Sequence, residues 1–380
     1  MNLALSDEQV FLREAARGAL SRHKTVEAAR EALEDQSKLP DLWPMAKEAG
    51  WPGLLISEEH AGAGLDAFDA MLVLNECGRV LAGIQLLGHL PATAMLDASS
   101  NANELLGDLA SGERRAAYLP AQPPTDVEAR WSSDPAHGMH RADLPRVGAA
   151  DETGHAAVNG NFAFVPDAPG ADVLVGVALR DGQPVGVAIQ TDAAGVKVDP
   201  VMRYDATRSL GHVTLEDAPA LVLDASEEAL VSAWYLAQAL IAAESLGSVE
   251  TTLDVSVEYA KERFTFGRAI GSYQAVKHSL AEVLRQLENG RSLLYYAGWS
   301  RRGAPAEFPL AASAARSVAG RALDEAARTM ISVHGGIGAT WEHDAPLYFR
   351  RAQLSRRLLG GTGSATDRVA GELIAQAQAA

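Results

Sequence analysis

Two places in this chain hold side chains whose types and spacing could do chemistry. The first is Tyr259-Ala-Lys-Glu-Arg263-Phe-Thr-Phe266-Gly267-Arg-Ala-Ile270-Gly271-Ser-Tyr-Gln274-Ala-Val-Lys-His278. Upstream of it, residues 229–260 contain no Pro and a single Gly, Gly247, and are rich in Ala, Leu, Val and Glu, which predicts a long helix. Gly267 and Gly271 break the pattern, and the helical period resumes from Gln274 through Leu287. An Arg fixed where one helix ends and a turn opens the next can grip a phosphate with its forked donors. The same Arg could instead bond a carbonyl of the helical hairpin. The second place is Glu244, in Ile241-Ala-Ala-Glu244-Ser-Leu-Gly247, among small apolar residues of the same helix. A carboxylate in an apolar stripe is seldom fully buried without a partner or a task. It could take a proton from a substrate, or pair with an Arg inside a bundle.

The pattern Tyr259-x-x-x-Arg263-x-x-Phe266-Gly267-x-x-Ile270-x-x-x-Gln274-Ala-Val resembles a signature of the acyl-CoA dehydrogenase family of flavoproteins. A second family signature follows at the expected distance: His334-Gly335-Gly336-Ile337-Gly338, then Trp341-Glu342-His343-Asp344 and Arg350-Arg351. The resemblance covers the whole chain. It implies FAD as cofactor, an acyl-CoA substrate, an electron-transfer flavoprotein as electron acceptor and a homologous subunit as partner. The reaction it implies is α,β-desaturation of a CoA thioester. A carboxylate takes the α-proton, and the β-hydride passes to flavin N5. By the same resemblance, Arg263, Phe266 and Gln274 contact the adenosine-diphosphate half of FAD, and Gly335 and Gly336 allow close backbone approach. Ser332 stands where the family often has Gln, Thr362 lies nearby, and Phe164 can stack on the flavin ring.

Other expected parts are missing. The commonest family base is a Glu just before Gly-Thr near the C-terminus. This chain reads Leu358-Leu359-Gly360-Gly361-Thr362-Gly363, so Gly360 holds that position without a proton acceptor. The alternative family position for the base, on the long helix, falls on Ala237. Glu244 is seven residues further on, on the same helical face and roughly 10 Å along, and is the candidate base. Ring contacts are eroded too. Tyr118-Leu119-Pro120-Ala121-Gln122-Pro123-Pro124 stands where the family carries hydroxyl-bearing residues. Pro166, two residues after Phe164, offers neither hydroxyl nor N–H.

In family tetramers one subunit supplies the ring contacts and base, and its neighbour supplies the Arg-x-x-Phe-Gly and Gly-Gly elements. This chain keeps what is given to a neighbour and has lost much of what is kept. The resemblance therefore points to bacterial two-gene heterotetramers, often acting on bulky CoA thioesters such as steroid side-chain or ring fragments. Two readings follow: an acyl-CoA dehydrogenase acting with a partner subunit, or a non-catalytic subunit that completes the FAD site of a catalytic chain.

The elements that must position these residues fall into three segments. Residues 1–115 predict helices, with a capping box at Ser6–Gln9 and helices around 41–50, 68–82 and 89–110. Between the first two, the glycine-rich stretch Gly53–Leu65 reads as a structural loop. Residues 116–223 show short β-branched runs separated by Gly, Asp and Pro, which predicts a small antiparallel barrel or sandwich. Asp205-Ala-Thr207-Arg208 matches a family element, with Asp205 and Arg208 expected to pair. Residues 224–380 predict helices at roughly 226–262, 272–301, 306–334 and 344–376, an antiparallel four-helix bundle. Helix, β and helix is the layout of the acyl-CoA dehydrogenase fold.

Composition sets outer limits. At 380 residues, with 47% apolar and 22% charged, the chain can build a large core and several domains. The formal charge of −16 argues against nucleic acid or an anionic membrane as partner. A single Cys77 excludes an internal disulfide and any cysteine metal cluster. With an acidic N-terminus and no apolar run of membrane-spanning length, a cytoplasmic location is expected.

Overall fold

The computed structural model describes residues 4–125, 128–133 and 141–379. The chain begins with α1 (Asp7–Leu20), opened by the capping box: Ser6 accepts from the Gln9 N–H, and the Gln9 side chain accepts from the Ser6 N–H. Then come α2 (Thr25–Glu31), α3 (Trp43–Glu48), α4 (Ala67–Arg79), α5 (Leu86–Asp97) and α6 (Asn103–Ser111). The helix expected over 89–110 is two. Ser99 and Asn101 divert the backbone between them, Ser99 Oγ bonding Asn101 Oδ1 at 2.8 Å. Asn101 also bonds the carbonyl of Val222 and the N–H of Asp224, tying this turn to the end of the β segment.

The β segment holds β1 (Ala116–Tyr118), β2 (Ser132–Ser133), β3 (Ala142–Asp143), β4 (Arg146–Val147), β5 (His155–Pro166), β6 (Val173–Arg180), β7 (Gln183–Gln190), β8 (Val196–Pro200) and β9 (Leu210–Leu223). The ladder runs β6–β4–β5–β9–β7 and closes through β7 onto β6, forming a barrel. β1 extends it at β6 and β8 at β9, while β2 and β3 pair apart. The expected antiparallel pairing holds except at β1 and β4, each of which runs parallel to β6. Val158, Phe162, Leu174, Ile189, Val213 and Leu215 fill the barrel interior.

The C-terminal segment consists of α7 (Glu227–Glu262), the hairpin β10 (Phe264–Thr265) and β11 (Arg268–Ala269), then α8 (Gln274–Gly303), α9 (Phe308–His334), α10 (Ala345–Ser355) and α11 (Gly361–Ala379). The helix expected over 344–376 is also two. Leu359, Gly360 and Gly361 take φ of 54, 77 and 76°, left-handed values that no helix continues through. α7 is the axis of the molecule. By length and composition alone it could cross a membrane, contrary to the expectation that no run was long enough; 83% of its most apolar window is buried inside the protein. α4 crosses α7 backbone to backbone at two glycines. A Cβ at Gly78 would lie 1.9 Å from the Glu244 carbonyl oxygen, and one at Gly247 1.9 Å from that of Asn75. The Asn75 side chain donates to Ala243 O, and Ser248 Oγ donates to Gly78 O, at 3.0 and 2.7 Å.

Candidate functional site

Because α7, α8 and α9 pack antiparallel, the end of α7, the start of α8 and the end of α9 meet at one end of the bundle. Arg263 caps α7, its N–H bonding Tyr259 O. Its guanidinium is exposed and makes no ion pair or hydrogen bond with any described residue. Phe266 sits in the β10–β11 turn at φ 53° and is 92% exposed, so its ring is held out to solvent. Gln274 opens α8 and is exposed. The Tyr259 ring packs on His334 with centroids 4.3 Å apart, which sets Gly335 and Gly336 beside the hairpin. Gly335 has φ 64°, and a Cβ on either glycine would meet nothing within 4 Å. Ser332 is exposed one turn earlier on α9. An unpaired cation, a displayed aromatic ring and open backbone are what a ligand with a phosphate and a flat ring system needs.

Two predicted cofactor residues lie elsewhere. Thr362, at the start of α11, packs its methyl group onto α9, where a Cβ at Gly320 would fall 2.2 Å from it. Gly320 precedes Gly335 by fifteen residues, roughly 22 Å along the helix. Phe164 lies in β5 at φ 52°, with the Arg203 guanidinium 4.3 Å over its ring and His212 edge-on at 4.7 Å. The predicted set is therefore not gathered at one place: Thr362 and Phe164 lie apart from the hairpin.

At Gly360 the space is taken. A Cβ there would meet Arg141 Nη2 and Gln122 Oε1 at 3.0 Å and the Trp234 ring at 3.2 Å. Arg141 donates to Gly360 O (3.3 Å) and to Glu128 Oε2 (2.9 Å). The same Glu128 oxygen accepts from Ser132 Oγ and Gln122 Nε2, and Ser364 Oγ donates to Gln122 Oε1. Gln238 Nε2 holds the Leu359 carbonyl at 2.8 Å. A strap from the β segment is thus bonded onto the turn between α10 and α11. The cavity left among Gln122, Trp234, Gln238 and Ser364 is about 10 Å³, room for one water at most. Trp234, Gln122 and Arg141 were not singled out from sequence. Trp234 reads there as one more apolar residue of α7, and its loop partners Gln122 and Arg141 lie 112 and 93 residues before it.

Glu244 is locked. One carboxylate oxygen accepts from Arg208, the other from Arg351 Nη1 at 2.8 Å, and Arg351 Nε donates to Asp205 Oδ2 at 2.7 Å. These four side chains are at most 9% exposed. The expected Asp205–Arg208 pair does not form as such. Asp205 takes Arg351 and Arg208 takes Glu244, with Arg351 bridging the two acids, because Arg351 reaches in from α10 between them. Burial alone would raise the Asp205 carboxyl, but the Arg351 and Arg208 charges outweigh it and hold it below the usual carboxylate range. Arg316, wholly buried beside the network, donates to the carbonyls of Ser355 and Leu358. Burial, then the neighbouring Arg208, push its guanidinium down to about 9.

Two family descriptions match the chain: the acyl-CoA dehydrogenase N-terminal domain over residues 6–121 and the acyl-CoA dehydrogenase C-terminal domain over residues 231–374. Acyl-CoA dehydrogenase IpdE2 of Mycobacterium tuberculosis is 32% identical over 93% of both chains. Acyl-CoA dehydrogenase FadE34 of the same organism is also 32% identical over 97% of this chain, which spans 48% of that longer protein. Among solved structures, the Tcur3481–Tcur3483 steroid ACAD G363A variant superposes with TM-score 0.84 at 26% identity, covering 98% of this chain and 99% of that one.

Proposed function

We propose, on the premise that the chain belongs to the acyl-CoA dehydrogenase family, that it is the FAD-completing subunit of a heteromeric acyl-CoA dehydrogenase. The family consists of FAD-dependent oxidoreductases acting on a CH–CH bond, so the chain's activity is that of its complex. The observation that carries the reading is the strap over Gly360. Trp234, Gln122 and Arg141 crowd the place a side chain at position 360 would take, and Gly360 and Ala237 offer no base. The chain's own ring site does not fit the cofactor.

The other end fits. Bound FAD supplies the hydride acceptor, and this chain's residues would hold its adenosine-diphosphate half. Arg263 would neutralise pyrophosphate oxygens, Phe266 and Gln274 would flank the adenosine, and Gly335 and Gly336 would let backbone N–H groups approach, with Ser332 at the edge. Thr362, on the α9 side of α11, and Phe164, in the barrel against Arg203 and His212, lie apart from this end, and Glu244 is structural, both of its oxygens being held by guanidinium groups. The base and the ring contacts would come from a homologous catalytic chain. Likeness to a steroid ACAD structure supports a bulky CoA thioester as substrate. An electron-transfer flavoprotein as electron acceptor, and action in the cytoplasm, accord with the family and with a buried, unpaired Cys77.

The test is the visible spectrum and solution mass of the chain expressed alone and with a co-expressed homologous subunit. The expected result is a colourless chain alone and a yellow complex. A flavin band near one equivalent per chain in the lone protein would overturn the proposal.

A further inference from the structure

A second cavity, of about 390 Å³, lies where the N-terminal helices meet the barrel, and it shares no lining residue with the pocket at Gly360. Much of its wall is aliphatic, including Leu42, Ile84, Val201 and Leu210, and the 75% exposed Met202 stands at its edge. Asp167 places a carboxyl group in this wall, only 8% exposed. Its backbone is held in the left-handed region at φ 64°. Asp167 Oδ2 accepts the Gly88 N–H at 2.7 Å, and the Asp167 N–H donates to Ser209 O at 2.9 Å. Gly88 is required for that clamp, since a Cβ there would lie 2.6 Å from Pro166 O. Asp167 Oδ1 is bonded by no described residue, and no Lys or Arg forms an ion pair with the carboxyl. Burial pushes this carboxyl up to about 7, so it can donate or accept a hydrogen bond near neutrality. Arg208 Nε and Gln85 Oε1, on two residues of the wall, are buried away from the cavity's open space and have no partner among the described residues. Folded proteins seldom leave an oxygen of a buried carboxyl group without a partner.

We propose that this cavity binds a small uncharged molecule carrying a hydroxyl group on an apolar body. A hydroxyl both donates and accepts, and so answers the Asp167 carboxyl whether or not it holds its proton. The aliphatic wall suits the rest of the ligand, and the volume is that of a small-molecule site. A charged ligand is disfavoured, because Glu244 already neutralises Arg208 and burial penalises a further charge.

The test uses fluorine NMR titration of the full chain with 4-fluorophenol, and with 1,4-difluorobenzene as the probe that lacks the hydroxyl. Saturable binding is expected, about tenfold tighter for 4-fluorophenol. Met202→Trp, a change at an exposed position, and Val201→Trp each narrow the cavity and should weaken 4-fluorophenol about tenfold. Asp167→Gly, which keeps the left-handed backbone without strain, should leave the two probes binding alike. The proposal is overturned by the absence of saturable 4-fluorophenol binding, by equal affinity of the two probes for the unaltered chain, or by undiminished binding in both Trp variants.

Discussion

Glu244 and Asp167 are both buried carboxyl groups, and their surroundings give them opposite roles. Glu244 lies between two guanidinium groups. Glu244→Gln leaves Arg208 and Arg351 with Asp205 as their one acid in the network, and a broken buried pair costs about 3–5 kcal/mol. Denaturant titration should show that loss, whereas a change confined to turnover would return the residue to a catalytic role. Asp167 has no such partner. Its ordinary value of 3.8 rises to about 7 in the fold, so the native state binds the extra proton. Stability from this group is present in full below the ordinary value and is lost as pH rises through about 7, by up to roughly 4 kcal/mol. Asp167→Asn, which tolerates the left-handed backbone, should therefore stabilise the protein at about pH 8 and do little at about pH 4. Thermal unfolding of the two proteins across that range checks the sign; parallel curves would refute it.

At the scale of elements, the hairpin between α7 and α8 carries the cofactor prediction. Arg263 is exposed and unpaired, so Arg263→Ala should not change the unfolding temperature. It should weaken flavin binding in the complex by about 10–100-fold, the worth of a charged hydrogen bond. Fluorescence titration of the flavin-stripped complex measures this, and unchanged affinity removes Arg263 from the site. Sequence made this hairpin legible because its glycines and aromatic residue sit at fixed spacing within one local turn. The same local reading merged α5 with α6 and α10 with α11. Apolar periodicity continues across Ser99–Asn101 and across Leu359–Gly361, and what breaks each helix is a side-chain bond or a left-handed backbone that periodicity does not record.

For the whole molecule, the order of helical, β and helical segments was legible because each has its own period and breaker spacing. The state of the ring pocket was not. The missing Glu at position 360 was visible, but the residues that fill the gap come from α7 and from a loop of the β segment, joined only by the fold. The Asp205–Arg208 expectation failed for a related reason: Arg351, far along the chain, competes for both acids. The sealed pocket fixes a stoichiometry. In a complex of equal numbers of this chain and a catalytic chain, FAD should be recovered at one per two polypeptides, measured from absorbance against total protein. A ratio near one per polypeptide would show that the strap over Gly360 opens.

The paired glycines where α4 crosses α7 also bear on how the protein is made. Ser248, which bonds Gly78, follows it by 170 residues. At ordinary elongation rates the nascent chain waits roughly 8–35 s between synthesising the two. Through that interval the face of α4 that α7 will cover stays open to solvent, and the first segment lacks the packing that α7 supplies. The early half of the chain is thus a natural client for a chaperone until α7 leaves the ribosome.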